Sequence, residues 1–239
     1  MAEVKVFSDA DALAHAAAEH FVERARETIA ENDRFRVALS GGSTPKAMFS
    51  LLASDEFAPQ VDWAHVQVFW SDERAVPPVH PDSNYYMARE TLLSRVPIPD
   101  GNIYRIQAQR EPSQAAADYE MLLRSLFGEH PRMDLLFLGM GDDGHTASLF
   151  PHTKALDETQ RWVVENYVEK LGVWRITFTA HAINAAAQVM FLVSGVNKAQ
   201  RLHQVLKGQH QSHELPSQLV KPTDGTLFWY VDAVAASLL

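Results

Sequence analysis

An acid–histidine pair, Asp143 and His145, follows the apolar run Leu135–Leu138 after a short glycine-containing loop. A short, continuously apolar run is typical of a strand that is buried on both faces of a parallel sheet. The glycines of the loop allow tight turns and close approach to a ligand. A histidine can move protons near neutral pH, and a nearby carboxylate can fix its tautomer and support its charged form. The pair therefore indicates a hydrolytic or isomerising site.

The same loop also matches the dinucleotide-binding fingerprint GxGxxG, from Gly139 to Gly144. We reject a dinucleotide site because the pyrophosphate would face Asp142 and Asp143, which would repel it. Pro151 also follows too soon for the long crossover helix that this motif needs. A plain glycine-rich turn with a capping aspartate and a surface histidine is the structural alternative.

A second glycine loop, SGGSTP, begins at Ser40 after the predicted strand Arg36–Leu39 and opens a helical pattern. Such a loop presents several backbone N–H groups and the positive end of the helix dipole, which together bind an anion without lysines. The GxxxxGK[ST] spacing of a nucleotide P-loop is missing. The alternative is a plain strand-to-helix turn. The expected phosphate-binding residues are Ser40, Gly41, Gly42, Ser43 and Thr44.

Two further strand ends carry charged residues. Asp72 and Arg74 follow the predicted strand Val66–Trp70, and Lys198 follows Val189–Val193. The planar guanidinium of Arg74 suits a phosphate, and Lys198 is a candidate second cation. A surface ion pair and a solvated lysine are the alternatives. Because ligands of open α/β sheets bind beyond the carboxyl ends of the strands, we expect these side chains to converge.

The elements that must position these residues alternate between strand and helix patterns. Strands are predicted over Val4–Phe7, Arg36–Leu39, Val66–Trp70, Asn102–Ile106, Leu135–Leu138, Trp162–Tyr167, Arg175–Thr179, Val189–Val193 and Thr226–Val231. Helices are predicted over Asp11–Ala30, Pro45–Ala53, Ser83–Leu93, Ser113–Phe127 and Asn197–Leu206. This alternation predicts an α/β, Rossmann-like fold, with a mostly parallel sheet and helices on both faces.

One pair of predicted strands departs from this pattern. Trp162–Tyr167 and Arg175–Thr179 lie too close in sequence for a crossover helix, so we expect them to pair antiparallel. They predict a small appended β-containing lobe. No linker or internal repeat is visible, and we expect one domain over residues 1–239.

Composition limits the partners. The 239 residues carry a formal net charge of −9 with no basic stripe, which argues against nucleic acid or an anionic membrane as a partner. The chain has no cysteine, which fits a reducing compartment, and shows neither a signal-peptide core nor a long apolar run. We therefore expect a cytoplasmic protein, monomeric or weakly homo-oligomeric. The histidines show no metal-ligand spacing, and we expect neither a metal nor a cofactor.

Taken in order, the motifs resemble those of the 6-phosphogluconolactonase family over almost the whole chain. They are SGGSTP, WSDER, HPDSNY, GMGDDGHTASLFP, WRITFT, FLVSGVNKA and LPSQL. This family shares its fold group with glucosamine-6-phosphate deaminases and ribose-5-phosphate isomerases. The resemblance implies a Rossmann-like sheet, a sugar-phosphate substrate, and hydrolysis of 6-phosphogluconolactone in the oxidative pentose phosphate pathway.

The resemblance also implies a role for each candidate residue. His145 would be the general base, Asp143 its orienting partner, and Asp72 a carboxylate near the sugar ring. Arg74, Lys198 and the backbone of Ser40–Thr44 would hold the phosphate. The family often has a PKPP-like approach to the strand that begins at Arg175, whereas this chain has EKLGVW there. That departure leaves the role of Arg175 open.

Deaminases of the same fold group supply the main alternative. They typically carry a Glu five residues after the histidine and a DEY in place of DER, where this chain has Phe150 and Arg74. Lactone hydrolysis needs only an activated water and a place for the developing oxyanion. The residues therefore favour the hydrolase. A sugar-phosphate isomerase or deaminase and a non-catalytic sugar-phosphate-binding domain remain as alternatives.

Overall fold

The computed structural model describes residues 2–239, which form nine β-strands and six α-helices. The strands are β1 (Ala2–Phe7), β2 (Phe35–Leu39), β3 (Val66–Trp70), β4 (Asp72–Arg74), β5 (Leu135–Leu138), β6 (Val163–Val168), β7 (Val173–Phe178), β8 (Gln188–Val193) and β9 (Thr226–Asp232). The helices are α1 (Ala10–Asn32), α2 (Ser43–Leu52), α3 (Asn84–Ala88), α4 (Pro112–Phe127), α5 (Ala180–Asn184) and α6 (Ala199–Lys207).

Six strands form one parallel sheet in the order β1-β9-β8-β5-β2-β3. Its central strands are the most apolar, because both of their faces are covered. All four residues of β5 are buried, as are Val189–Val193 of β8. Helices α1 and α2 pack against each other and against this sheet. The predicted α/β fold with a mostly parallel sheet is confirmed.

The other three strands form a small antiparallel sheet in the order β4-β7-β6. The predicted antiparallel pairing of the segments around Trp162–Tyr167 and Arg175–Thr179 is therefore confirmed, with bounds shifted by one or two residues. β4 begins two residues after β3 ends. The backbone of Ser71 connects the two sheets, because it donates to the Leu39 carbonyl and accepts from the N–H of Phe178.

The strand predicted over Asn102–Ile106 is wrong. Asp100–Asn102 forms a 3-10 turn, and only an isolated bridge joins Ile103 to Val68 at the edge of β3. Two prolines and a glycine precede this segment, so the chain turns just before it reaches the sheet. Tyr104 packs against the sheet through its side chain and does not extend the strand pairing. Its ring stacks on Phe69, with ring centroids 4.9 Å apart.

Other predictions differ in their bounds. The helix predicted over Ser83–Leu93 is α3 followed by a single π-helical turn at Arg89–Leu93. The helix predicted over Asn197–Leu206 begins with a 3-10 turn, Val196–Lys198, before α6. Two short elements, β4 and α5, were not predicted from the sequence. Within residues 2–239, no helix is both long and apolar enough to span a membrane.

Candidate active site

Asp143 and His145 meet at the carboxyl end of β5. Asp143 Oδ1 lies 2.6 Å from His145 Nδ1 and also accepts the backbone N–H of His145 at 3.2 Å. Both side chains are partly buried, with 21% and 27% of their surfaces exposed. Burial acts to raise the pKa of Asp143, but hydrogen bonds from His145 and Lys170 outweigh it and hold that pKa well below its usual range. The carboxylate is therefore ionised and accepts a proton-bearing Nδ1, which leaves Nε2 of His145 as the basic nitrogen.

Glycine is required at two positions of this loop. A Cβ on Gly141 would lie 2.0 Å from His145 Nδ1, so the imidazole occupies the space that any side chain would need. Gly144 has a φ of 84°, a conformation that side chains disfavour, and its carbonyl accepts the N–H and hydroxyl of Ser217. The loop is thus built around the imidazole.

Phe150 fixes the other face of the imidazole. Its ring stacks on His145 with centroids 3.9 Å apart and planes 19° apart. Phe150 stands where the deaminase pattern has a glutamate. An aromatic ring supports the imidazole by packing but cannot exchange protons, so His145 has no second acid–base group at this position.

Asp72 enters the site from β4 and is held by hydrogen bonds. Its Oδ2 accepts the Ser148 hydroxyl at 2.6 Å, and its backbone carbonyl accepts Asn84 Nδ2 at 2.9 Å. Only 6% of Asp72 is exposed. Neither Ser148 nor Asn84 was predicted as part of the site, because each contacts Asp72 through the tertiary fold and not through a pattern in the sequence.

Two arginines meet on the small sheet. Arg74 of β4 pairs with Arg175 of β7, so both side chains lie on the same face as Asp72. Arg74 Nη1 donates to the Asp82 carbonyl at 2.6 Å, while its buried Nε has no hydrogen-bond partner in the described part of the chain. Burial, and next the positive charge of Arg74, lower the pKa of Arg175 from its ordinary value. Two neighbouring guanidiniums with unused donors form a site for an anion.

Glu73, between these residues in β4, shapes the adjoining loop. Its side chain lies on the face of the small sheet opposite to Asp72 and Arg74. The carboxylate accepts hydrogen bonds from the backbone N–H groups of Arg74, Asn84 and Tyr85 at 2.7–2.8 Å. Burial raises the pKa of Glu73 despite these bonds. The carboxylate thereby joins β4 to the start of α3, which fixes the positions of Asp72 and Arg74.

The acid–histidine pair, Asp72 and the two arginines line one cavity of about 270 Å³. Four predicted residues line it together, namely Asp72, Arg74, Asp143 and His145. Residues that were not predicted complete its wall, namely Asp142, Ala147, Ser148, Phe150, Lys170 and Leu171, together with Arg175, whose role was left open. Asp142 and Asp143 are adjacent, yet only Asp143 contacts the histidine.

The glycine loop, Ser40–Thr44, is not part of the wall of this cavity. Ser40 Oγ donates to the Phe137 carbonyl and hydrogen-bonds Ser71 Oγ, both at 2.7 Å, so the hydroxyl joins neighbouring strand ends and Ser40 can reach an anion only through its backbone. Gly41 packs directly on the Asn84 side chain. Gly42 precedes α2 with a φ of 119°. No side chain caps this helix start, so Ser43 and Thr44 contribute open backbone donors.

Lys198 does not line the cavity but pairs with Asp142, which does. Its ammonium forms an ion pair with Asp142, which also accepts Asn197 Nδ2 at 3.0 Å. Lys198 is therefore already paired in this structure, and its role toward a phosphate stays a prediction. No group of three or more histidine, aspartate or glutamate side chains in residues 2–239 is placed to hold a metal ion.

A larger cavity of about 420 Å³ lies at the opposite end of the strands, near the starts of β1 and β9. Its wall includes Leu227, Trp229 and Val205, and no paired acid and base. The smaller cavity is the candidate active site because only it combines an acid–histidine pair with cations.

The chain is similar to known proteins over almost its whole length. The family described as glucosamine-6-phosphate isomerases/6-phosphogluconolactonase matches residues 8–229. A 6-phosphogluconolactonase from Nostoc sp. is 42% identical over 99% of this chain and 98% of its own length. One from Synechocystis sp. is 41% identical over 90% and 89%. The solved 6-phosphogluconolactonase from Trypanosoma cruzi superimposes with a TM-score of 0.90 at 28% identity, covering 100% of this chain and 97% of that one.

Proposed function

The chain belongs to the family of glucosamine-6-phosphate isomerases and 6-phosphogluconolactonases, and we propose that His145 drives its hydrolysis of 6-phospho-D-glucono-1,5-lactone to 6-phosphogluconate. This reaction is a step of the oxidative pentose phosphate pathway. The observation that carries the proposal is the contact of 2.6 Å between Asp143 and His145, in a cavity that also holds Arg74 and Arg175.

In the first step, His145 acts as a general base. Asp143 accepts a hydrogen bond from Nδ1–H, so the lone pair of Nε2 takes a proton from a water molecule. The resulting hydroxide attacks C1 of the lactone and forms a tetrahedral intermediate with a negative oxygen. The imidazolium that forms is stabilised by the ionised carboxylate of Asp143.

In the second step, the intermediate collapses. The C1–O5 bond breaks, and the imidazolium returns its proton to the ring oxygen, which becomes the C5 hydroxyl. His145 is then neutral again. The product carboxylic acid loses a proton to solvent, so one proton is released for each lactone opened. Asp72, held by the Ser148 hydroxyl, accepts hydrogen bonds from hydroxyl groups of the sugar ring in this proposal.

The phosphate of the substrate occupies the cationic side of the cavity. Arg74 and Arg175 offer guanidinium donors, and the start of α2 adds the backbone donors of Ser43 and Thr44 with the positive end of the helix dipole. Lys198 adds a further positive charge when its ammonium leaves the ion pair with Asp142. Binding the phosphate at one end of the substrate orients the lactone carbonyl at the other end. This orientation determines which face of the carbonyl is directed toward His145.

Proton release tests the reaction directly. Freshly made 6-phosphogluconolactone, corrected for spontaneous hydrolysis, should yield 6-phosphogluconate much faster with the protein than without it. Glucosamine 6-phosphate should release no ammonia, since Phe150 replaces the acid of the deaminase pattern. Ammonia release without lactone hydrolysis would contradict the proposal and favour the deaminase.

A cytoplasmic location and a monomeric or weakly associating state are part of the proposal. The cysteine-free chain and the sugar-phosphate substrate support the location. Cell fractionation and size-exclusion chromatography at several protein concentrations test the two statements. Recovery in an organelle fraction, or a stable oligomer at low concentration, would contradict them.

A further inference from the structure

Lys170 lies at the tip of the hairpin formed by β6 and β7. The tip is a 3-10 turn, Glu169–Leu171, closed by Gly172 in the left-handed conformation. The Lys170 ammonium donates to Asp143 Oδ2 at 2.9 Å, while the other oxygen of that carboxylate binds His145. Asp143 is therefore held at both oxygens, by a base on one side and by a cation from a separate sheet on the other.

The charges around the cavity show why such a contact matters. Asp142 and Asp143 both face a substrate that carries a phosphate and that develops a second negative charge at C1. Each of these aspartates has its own lysine, because Lys198 pairs with Asp142 and Lys170 pairs with Asp143. Without Lys170, Asp143 Oδ2 would be an unpaired negative oxygen at the edge of the cavity.

We propose that Lys170 is a positioning residue of the reaction, which locks the Asp143 carboxylate in the orientation that fixes the tautomer of His145. It also neutralises the outer oxygen of Asp143 toward the anionic substrate. This inference rests on the proposed function, since it assigns Lys170 a role only through the base His145.

The exposure of the two partners sets the size of the effect. Lys170 is 68% exposed and Asp143 only 21%. An exposed ion pair contributes little to stability, so removing Lys170 should leave the fold intact. A hydrogen bond to a charged and partly buried group is stronger. We therefore expect kcat of Lys170→Ala to fall by about five- to tenfold, with KM changed by less than about twofold.

The pH profile separates positioning from mere structure. Apart from Lys170, the charged groups that line the cavity around the pair are Asp72, Arg74, Asp142 and Arg175. Removing one positive charge from beside Asp143 makes protonation of the imidazole easier. The acid limb of the kcat profile in Lys170→Ala should therefore move to higher pH, by roughly half a pH unit for a solvent-screened charge.

The experiment compares four proteins with the wild type on fresh 6-phosphogluconolactone, and a thermal melt checks the fold of each. They are Lys170→Ala, Lys170→Arg, Lys170→Gln and, as a matched control for the loss of one exposed lysine, Lys154→Ala. Lys170→Arg should recover kcat to within about twofold, because it keeps the charge and the donors. Lys170→Gln should recover less, because it keeps only a donor.

Wild-type kcat and an unmoved acid limb in Lys170→Ala would overturn the inference. An effect confined to KM would also overturn it, since the lysine would then bind substrate instead of positioning Asp143. An equal loss in Lys154→Ala would show a general charge effect and would likewise refute it. His145→Ala, measured in parallel, separates a failure of the inference about Lys170 from a failure of the proposed mechanism. If it is inactive while Lys170→Ala is normal, only the inference fails, and if it is active, the proposed mechanism fails.

Discussion

Replacing Arg74 with alanine should damage hydrolysis of the phosphorylated lactone far more than hydrolysis of unphosphorylated gluconolactone. In the structure Arg74 uses Nη1 on the Asp82 carbonyl and leaves its buried Nε without a partner in residues 2–239. The Nη2 group makes no hydrogen bond within residues 2–239 and is the donor that the guanidinium can offer to a phosphate. Arg175 stays in place beside it, so the phosphate site is weakened and not abolished.

The expected magnitude follows from hydrogen bonds to a charged group. Such bonds contribute about 1.5–3 kcal/mol, and a loss of about 2–3 kcal/mol corresponds to roughly 30- to 150-fold in kcat/KM. Gluconolactone has no phosphate and should lose less than about threefold. Arg74→Lys should fall between wild type and Arg74→Ala, because it keeps the charge but loses the planar fork.

The assay is proton release with both lactones, each corrected for its spontaneous hydrolysis. Arg110→Ala is a suitable control, because Arg110 is half exposed and pairs with Asp118 away from the cavity. Equal losses on both lactones in Arg74→Ala would refute the phosphate assignment. They would place the guanidinium at the reacting carbonyl instead.

Three further perturbations test other parts of the site. Asp143→Asn should lower kcat by about 10²-fold and move the acid limb to lower pH, because the imidazolium loses its anionic partner, and the limb persists because the low pKa of Asp143 means that this carboxyl does not supply it. Disappearance of the acid limb from the kcat profile of Asp143→Asn would show that Asp143 is the group that titrates. Gly141→Ala should lower kcat much more than it lowers Tm, because the new methyl displaces His145, and a Tm loss without a kcat loss would contradict this. Gly42→Val should weaken calorimetric binding of 6-phosphogluconate, whereas Gly128→Val, at another positive-φ glycine, should not. Unchanged affinity in a folded Gly42→Val protein would make the loop a plain connection.

The acid–histidine pair could be predicted because it is local. Asp143 and His145 are two residues apart in a loop that follows a strand recognisable from its apolar run. The position of Asp72 and Arg74 was also accessible, since both follow β3 directly. Carboxyl ends of parallel strands share one edge of the sheet, so strand order was not needed to expect convergence.

Partners supplied by the small sheet could not be predicted in the same way. Arg175 faces Arg74 because of the register between β4 and β7, and a three-residue strand such as β4 carries no periodic signal. Lys170 reaches Asp143 across 27 residues of sequence, through the geometry of a hairpin tip. The sequence showed only a departure from the family pattern there, with no contact implied.

Side-chain direction was a second obstacle. Ser40 belongs to a loop whose composition suits an anion, yet its hydroxyl points inward and joins the ends of neighbouring strands. A polar side chain at a buried strand end must find hydrogen bonds inside the fold, and that need decided its direction. Composition predicts the loop, whereas tertiary packing decides which of its atoms face a ligand.

The measurement that tests the central claim most directly is proton release by His145→Ala on fresh 6-phosphogluconolactone, with a thermal melt and calorimetric binding of 6-phosphogluconate on the same sample. Loss of a general base costs about 10²–10⁴-fold in rate. We expect a loss of that size in kcat, a normal melt and near-normal product binding, because the cations of the phosphate site are untouched. Near-wild-type turnover by a folded His145→Ala protein would contradict water activation by His145.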